Sequence, residues 1–244
     1  MVALSSDQVA ALTSTQLGAL AATQIGGLTT TEVTALTTTQ LGAVTSTQLG
    51  VLTSTQIGGL TTTSVAALTT TQLDGIATTQ VAALTTTQLG AVTTTQIASL
   101  ATTQVLGLTT TNIAALTTTQ LGAITSTQLG ALTTTQMGGL TTTEVTALTT
   151  TQLGGLTSSQ VGVITTTQLG AVTTTQVAAL TTTQLKGLTT TDIGELSSTQ
   201  VATLSVAQLN SLSATNVSAL SATQTEALSA TQLKMLTTER RNGL

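Results

Sequence analysis

The chain has no cysteine, proline, histidine or aromatic residue, and charged side chains make up 5% of it. Each absence removes a class of function. Without cysteine there is neither a disulfide nor a thiolate metal site, and the redox compartment is not readable. Without His, Cys or Tyr, acid–base and nucleophilic chemistry is left to carboxylates, lysines and hydroxyls. The four cations, Lys186, Lys234, Arg240 and Arg241, all stand late in the chain and form no basic surface to neutralise phosphates. No nucleic-acid partner is therefore expected. The low charge does not indicate a membrane protein, because polar residues interrupt every apolar run well short of the roughly 18–20 residues that span a bilayer. No membrane insertion is expected. The start of the chain, Met1-Val2-Ala3-Leu4-Ser5-Ser6-Asp7, lacks a basic segment followed by an apolar one, so no cleavable secretory signal is expected. Signal-independent delivery to the cell surface and a cytoplasmic location both stay open.

What is present is an eight-residue repeat. From Leu4 the pattern Leu-Thr-Thr-Thr-Gln-Leu-Gly-Ala runs without insertion or deletion through 29 full copies to Met235, and a thirtieth begins at Leu236 and dissolves. Position 1 is always Leu, Ile or Val, and position 6 is Leu, Ile, Val or Met except at Thr225. Position 5 is Gln in 23 copies, and the exceptions are Glu32, Ser64, Asn112, Glu144, Asp192 and Asn216, all of them hydrogen-bonding side chains. Position 2 is Thr or Ser except at Ala21, Ala77 and Ala101.

An uninterrupted helix does not suit this period. Eight residues at about 100° each leave a drift of about 80° per repeat, so no fixed apolar stripe forms. A simple strand does not suit it either, because positions 1 and 6 have opposite parity and would point to opposite faces. A short helix renewed in every octad fits. With position 2 as N-cap, position 5 is N3, and the spacing is that of a capping box, in which the two side chains reciprocally satisfy exposed backbone N–H groups. The same phase puts position 1 at N′ and position 6 at N4, the two ends of a hydrophobic staple, so that Leu36 pairs with Leu41 and Leu84 with Leu89. The helix is expected to run from position 3 to about position 1 of the next octad, with positions 1, 6 and 8 inward and 3, 4 and 7 outward.

The expected fold is thus all-α, a solenoid or superhelix of short capped helices, one per octad. The alternative is a β-solenoid with two octads per coil, favoured by the β-propensity of Thr and by 20 of the 21 glycines standing at positions 7 and 8. That alternative gives no reason for Gln, Glu, Asp and Asn to alternate at one position. A longer period overlies the octad: Glu32, Asn112 and Asp192 stand ten octads apart, and position-8 glycines repeat with the same shift. Ten octads completing three turns would account for it. By segment, residues 1–3 read as a lead-in, 4–219 as the octapeptide-repeat solenoid, and 220–244 as degenerate repeats forming a C-terminal cap.

Runs such as Leu84-Thr85-Thr86-Thr87-Gln88-Leu89 and Leu180-Thr181-Thr182-Thr183-Gln184-Leu185 resemble the helix opening of TAL-effector-type repeats. The long repeat and the base-reading loop of that family are missing, so DNA reading does not carry over. Across nearly its whole length the array resembles the bacterial octapeptide (LTTxQ[VIL]xA) repeat proteins. That resemblance implies a long structural repeat protein of the cell surface.

No catalytic, cofactor-binding or metal-binding residue is assigned, no cofactor is expected, and the chain is not expected to be an enzyme. Asp192 and Glu195 form the one close internal acidic pair, read as a first-turn charge beside a surface substitution. The glycines follow the octad and lack a partner lysine, so no phosphate loop exists. The leading functional expectation is a rigid rod or self-associating fibre element, partnered by itself or by other structural proteins. Two alternatives stand beside it. The Thr array could bind ice, since the octad resembles the Thr-containing repeats of ice-nucleation proteins without their Tyr. The solenoid could instead serve as a scaffold for a ligand or partner.

Overall fold

A computed structural model describes residues 5–236. The lead-in at 1–3, Arg240, Arg241 and the last part of the expected cap, 237–244, lie outside the described residues. Among the described residues there are 29 α-helices of four to six residues and no strand. The all-α reading holds, and the β-solenoid does not.

Each helix begins at position 3, as in Thr38–Gly42, Thr118–Ala123 and Ser198–Ala202. The residue before it is extended; Thr37, for example, has φ −70 and ψ 157. Its hydroxyl accepts from the Gln40 N–H at 3.2 Å, and Gln40 Oε1 accepts from the Thr37 N–H at 3.0 Å. The same reciprocal box closes at Thr117 and Gln120 and at Ser229 and Gln232. At Ala21, Ala77 and Ala101 only the half made by the Gln side chain can form, and the helices still start in register. Helices end earlier than the pattern predicted, between positions 6 and 8. Position 1 is already extended, as at Leu148 with φ −61 and ψ 133. Two successive extended residues, the apolar one and the cap, therefore separate helices that run to position 8 from the next, as Leu148 and Thr149 do. A helix this short is unstable alone, because nucleation costs more than one turn of hydrogen bonds returns. Its persistence depends on packing.

That packing is regular. The chain divides into two compact units, Met1–Ile124 and Thr125–Leu244. Within each, a helix packs on the third helix along: Ser14–Gly18 on Thr38–Gly42 in the first unit, Ser126–Ala131 on Thr150–Gly154 in the second. Positions 1 and 6 form the core. Leu49, Ile57 and Ile113 have no exposed surface in the first unit, nor do Leu129, Val177 and Leu209 in the second. Leu36 and Leu41, one expected staple pair, are both buried. The core of the first unit leaves a cavity of ≈ 30 Å³ lined by Leu, Ile and Val side chains with Gln96. A gap of that size and lining is too apolar to hold ordered water well.

One expectation about faces needs correction. Position 8 does not face inward: Ala35 and Val51 are exposed, and Ala43 and Gly75 are half-buried. It lies at the helix end, where the chain turns outward toward the next cap. Small residues serve there because backbones from successive turns approach closely. A Cβ added to Gly75 would fall on the Ser46 carbonyl oxygen, and one added to Gly155, ten octads on, would fall on that of Ser126. Both glycines and both serines obey the ten-octad period, which therefore has a packing cause within each unit. Position 5, to which the pattern assigned no face, is buried.

The candidate functional site, a glutamine ladder

From Glu32 onward the position-5 side chain is buried in every octad through Gln232. Its carbonyl end closes the box of its own helix. Its amide end turns the other way and donates to main-chain carbonyls of the preceding turn. Gln88 Nε2 donates to the carbonyls of Ile57, Gly58 and Leu60 at 3.1, 3.1 and 2.6 Å. Gln160 does the same to Leu129, Gly130 and Leu132 at 2.9, 3.3 and 2.7 Å. Gln56 reaches Leu28, and Gln168 reaches Leu140, by equivalent short bonds.

The acceptors follow from helix chemistry. The last carbonyls of a short helix have no partner in their own helix. Position 7 supplies one of these, position 6 supplies a carbonyl that also accepts from the position-1 N–H three residues on, as Ile57 does from Leu60, and the extended position-1 residue supplies the third. One glutamine thus serves two helix ends, the N-terminus of its own and the C-terminus of another. Asparagine keeps the donor function with a shorter reach: Asn112 Nδ2 donates to Leu84 and Asn216 Nδ2 to Leu188, each 28 residues back, while of the two only the Asn112 side chain also closes its box.

A second set of bonds runs the other way along the chain. Thr34 Oγ1 donates to the Gly59 carbonyl at 2.6 Å, Thr78 Oγ1 to Thr103 at 2.9 Å, and Ser54 Oγ to Thr79 at 3.2 Å, each 25 residues on. Offsets of 25 on one side and 28 to 31 on the other bracket the roughly 27 residues per turn that three turns per ten octads would give.

The carboxylates in this row interrupt it. Glu144 Oε2 accepts from the Thr141 N–H at 2.6 Å and so preserves the box. Glu144 Oε1 is buried without a hydrogen-bond partner. A carboxylate oxygen cannot donate where an amide would, and a buried polar atom left unpaired costs about 1–3 kcal/mol. Asp192 keeps its box too, with Oδ2 accepting from the Thr189 N–H at 2.8 Å and from its hydroxyl at 2.7 Å. Ser64 is too short to reach the preceding turn, and it pairs instead with its own cap hydroxyl, Thr61 Oγ1, at 2.8 Å.

Elsewhere, one open groove of ≈ 460 Å³ in the second unit is lined by Lys186, Leu188, Ser211, Leu212, Ser213 and Asn216. Asn216 is committed there to the Leu188 carbonyl at 2.9 Å. No helix among the described residues is long and apolar enough to cross a membrane. The sequence pattern located position 5 and its box partner. It did not reveal the amide's second role. The acceptors lie three to four octads away, and they are backbone atoms that leave no mark on residue identity. The one available signal was that Gln predominates where Glu would cap a helix equally well. Only the amide can donate.

Residues 108–142 match the family model described as the ALTTAQ repeat. No curated protein matches the chain. The match covers a small part of the array and, with the periodic short helices, shows a repeat protein.

Proposed function

We propose that the chain is a non-catalytic structural repeat protein, a rod or fibre element that associates with itself. The observation that supports this is the ladder: within each unit position-5 amides such as those of Gln88 and Gln160 tie their octads to the turn before, so cohesion passes from neighbour to neighbour there. Such quasi-one-dimensional bonding is characteristic of solenoids, whose stability is approximately a sum over repeats and their interfaces. The polar side chains that are buried direct their hydrogen bonds to the backbone, which is a structural use rather than a catalytic one. Small-angle scattering of the dilute full-length chain should give a cross-section constant along an extended particle. A compact, near-spherical particle would overturn the rod.

A further inference from the structure

Each full rung of the ladder places one nitrogen inside a ring of oxygens. Gln160 Nε2 stands 2.9, 3.3 and 2.7 Å from the carbonyl oxygens of Leu129, Gly130 and Leu132. Gln224 Nε2 stands 2.8, 3.2 and 2.6 Å from those of Ile193, Gly194 and Leu196. The acceptors lie 31, 30 and 28 residues back in both cases. At the same offsets from Asp192 stand Val161, Gly162 and Ile164, in the same unit. No donor side chain serves that rung. Asn112 shows how the Asp192 side chain lies, for the two stand ten octads apart and have the same shape. Asn112 Oδ1 accepts from the Thr109 N–H and hydroxyl at 3.0 and 2.7 Å, and Asp192 Oδ2 accepts from the Thr189 N–H and hydroxyl at 2.8 and 2.7 Å. The other terminal atom of Asn112, Nδ2, donates to the Leu84 carbonyl at 3.0 Å. The other terminal atom of Asp192, Oδ1, therefore faces the Ile164 carbonyl, which it can only repel. Among the described residues it has neither a hydrogen-bond nor an ion-pair partner, and Lys186 and Lys234 are exposed. The side chain is 6% exposed. Buried charges are held by pairing or by coordinating a cation.

We propose that Asp192 Oδ1 and the carbonyl oxygens of Val161, Gly162 and Ile164 bind a dehydrated monovalent cation of potassium's size, which takes the place of the glutamine amide in this rung. Length makes the room. Asn112 reaches only one of its three carbonyls, so a side chain one methylene shorter than Gln stops short of the ringed point. A glutamate would fill that point with its own oxygen, which confines the site to Asp192. Charge sets the valence, since one carboxylate is neutralised by one positive charge. Distance sets the size: the amide nitrogens stand 2.6–3.3 Å from their carbonyls, beyond the about 2.0–2.1 Å of magnesium and the about 2.3–2.6 Å of calcium. Main-chain carbonyls in place of a hydration shell are also the donors by which potassium is held in selective pores. The rung then closes only with the ion bound, and cohesion of the octad 188–195 with the turn before it depends on the cation. This inference concerns one rung and does not rest on the rod.

Hydrogen exchange of the full-length chain tests it, in potassium chloride against tetramethylammonium chloride at equal ionic strength. Tetramethylammonium presents methyl groups to the oxygens and cannot replace potassium among them. The amides of residues 189–196 should exchange about fivefold or more slowly in potassium, because a ligand of the closed form alone protects by the factor 1 + [L]/Kd. The octad of residues 84–91, whose rung is made by Gln88, should show no difference between the salts. Two variants supply their own donor. Asp192→Asn should bond the Ile164 carbonyl as Asn112 bonds Leu84, and Asp192→Gln restores the commonest residue of the position. Both should be protected equally in the two salts, with unchanged far-UV circular dichroism. Equal protection of the parent in both salts would overturn the site and leave water or a proton as the bridge. A potassium response that persists in both variants would overturn the assignment to Asp192. Protection by calcium at lower concentration than by potassium would overturn the monovalent ion.

Discussion

In the octads of residues 84–123 the residue after the cap is always Thr, and the position-6 side chains from Leu89 to Leu121 are all buried to 3% or less. In those of residues 196–235 the cap is always Ser, the next residue is Ser198, Val206, Ala214, Ala222 or Ala230, and position 6 ends in half-buried Thr225 and Leu233. Position 5 barely changes. It reads Gln, Gln, Gln, Asn, Gln in the first stretch and Gln, Gln, Asn, Gln, Gln in the second, and every one of these side chains is buried and donates to the carbonyl 28 residues earlier. The octad therefore tolerates drift in its outer hydroxyls and in part of its apolar staple. Within these two stretches it keeps the amide that donates to the turn before. The ladder and the box define the fold, and the Thr rows are decoration on it.

The largest expected effect is in the core of the first stretch. Leu121→Ala should cost about 3–4 kcal/mol, since a fully buried Leu leaves both lost transfer energy and a cavity. Thr225→Leu should act oppositely and gain about 1 kcal/mol, because it restores the missing apolar residue at a half-buried site. Because a repeat array can open locally, hydrogen exchange at the altered octad is the appropriate measurement. Equal and small changes at both sites would mean that the two stretches pack alike after all.

Next comes the ladder itself. Gln88→Ala removes the box acceptor for Thr85 and the donor to three carbonyls, and should cost about 3 kcal/mol with those groups left buried. Gln16→Ala removes only a box at an exposed site and should cost about 1 kcal/mol. A ratio near one between the two would make the turn-to-turn bonds energetically idle. Glu144→Gln should stabilise its octad by about 1–3 kcal/mol, by giving a donor to the place where Oε1 is now unpaired.

How far this was legible beforehand follows from where each interaction runs. The capping box and the staple are local, three and five residues apart, so the phase of every helix could be set from residue identity at positions 1, 2, 5 and 6. The third-neighbour packing was accessible only through the ten-octad period, because the chain writes it in the spacing of Gly75 and Gly155 rather than within an octad. The ladder was not accessible, since Gln88 bonds to backbone oxygens that any residue supplies. Position 8 was misassigned inward because smallness was read as burial. Its real constraint is backbone approach: Val51 can stand there 43% exposed, while Gly75 cannot carry a side chain.

That constraint separates two glycines that look alike in composition. Gly75→Ala would drive its methyl into the Ser46 carbonyl and should cost about 1–3 kcal/mol by overpacking. A methyl on Gly42 meets nothing within 4 Å, and Gly42→Ala should gain up to about 1 kcal/mol from helix propensity alone. Thermal melts of the two single variants should move in opposite directions.

The smallest effect is expected on the Thr rows, and it carries the most functional weight. Thr86 is exposed and follows the cap, the place Ala214 and Ala230 take in the later stretch without disturbing their helices. Thr86→Ala should therefore change stability by less than about 0.5 kcal/mol. Extending the change to Thr94, Thr110 and Thr118 should leave the circular dichroism spectrum intact while removing position-3 hydroxyls from two neighbouring helix stacks of the first unit. If the rows bound ice, thermal hysteresis of the parent chain would fall in this variant although its fold survived. The structural reading expects no hysteresis in the parent and no difference between the two, because the variant retains the cap hydroxyls at position 2 and the hydroxyls of Thr34, Ser54 and Thr78 that bond the turn ahead.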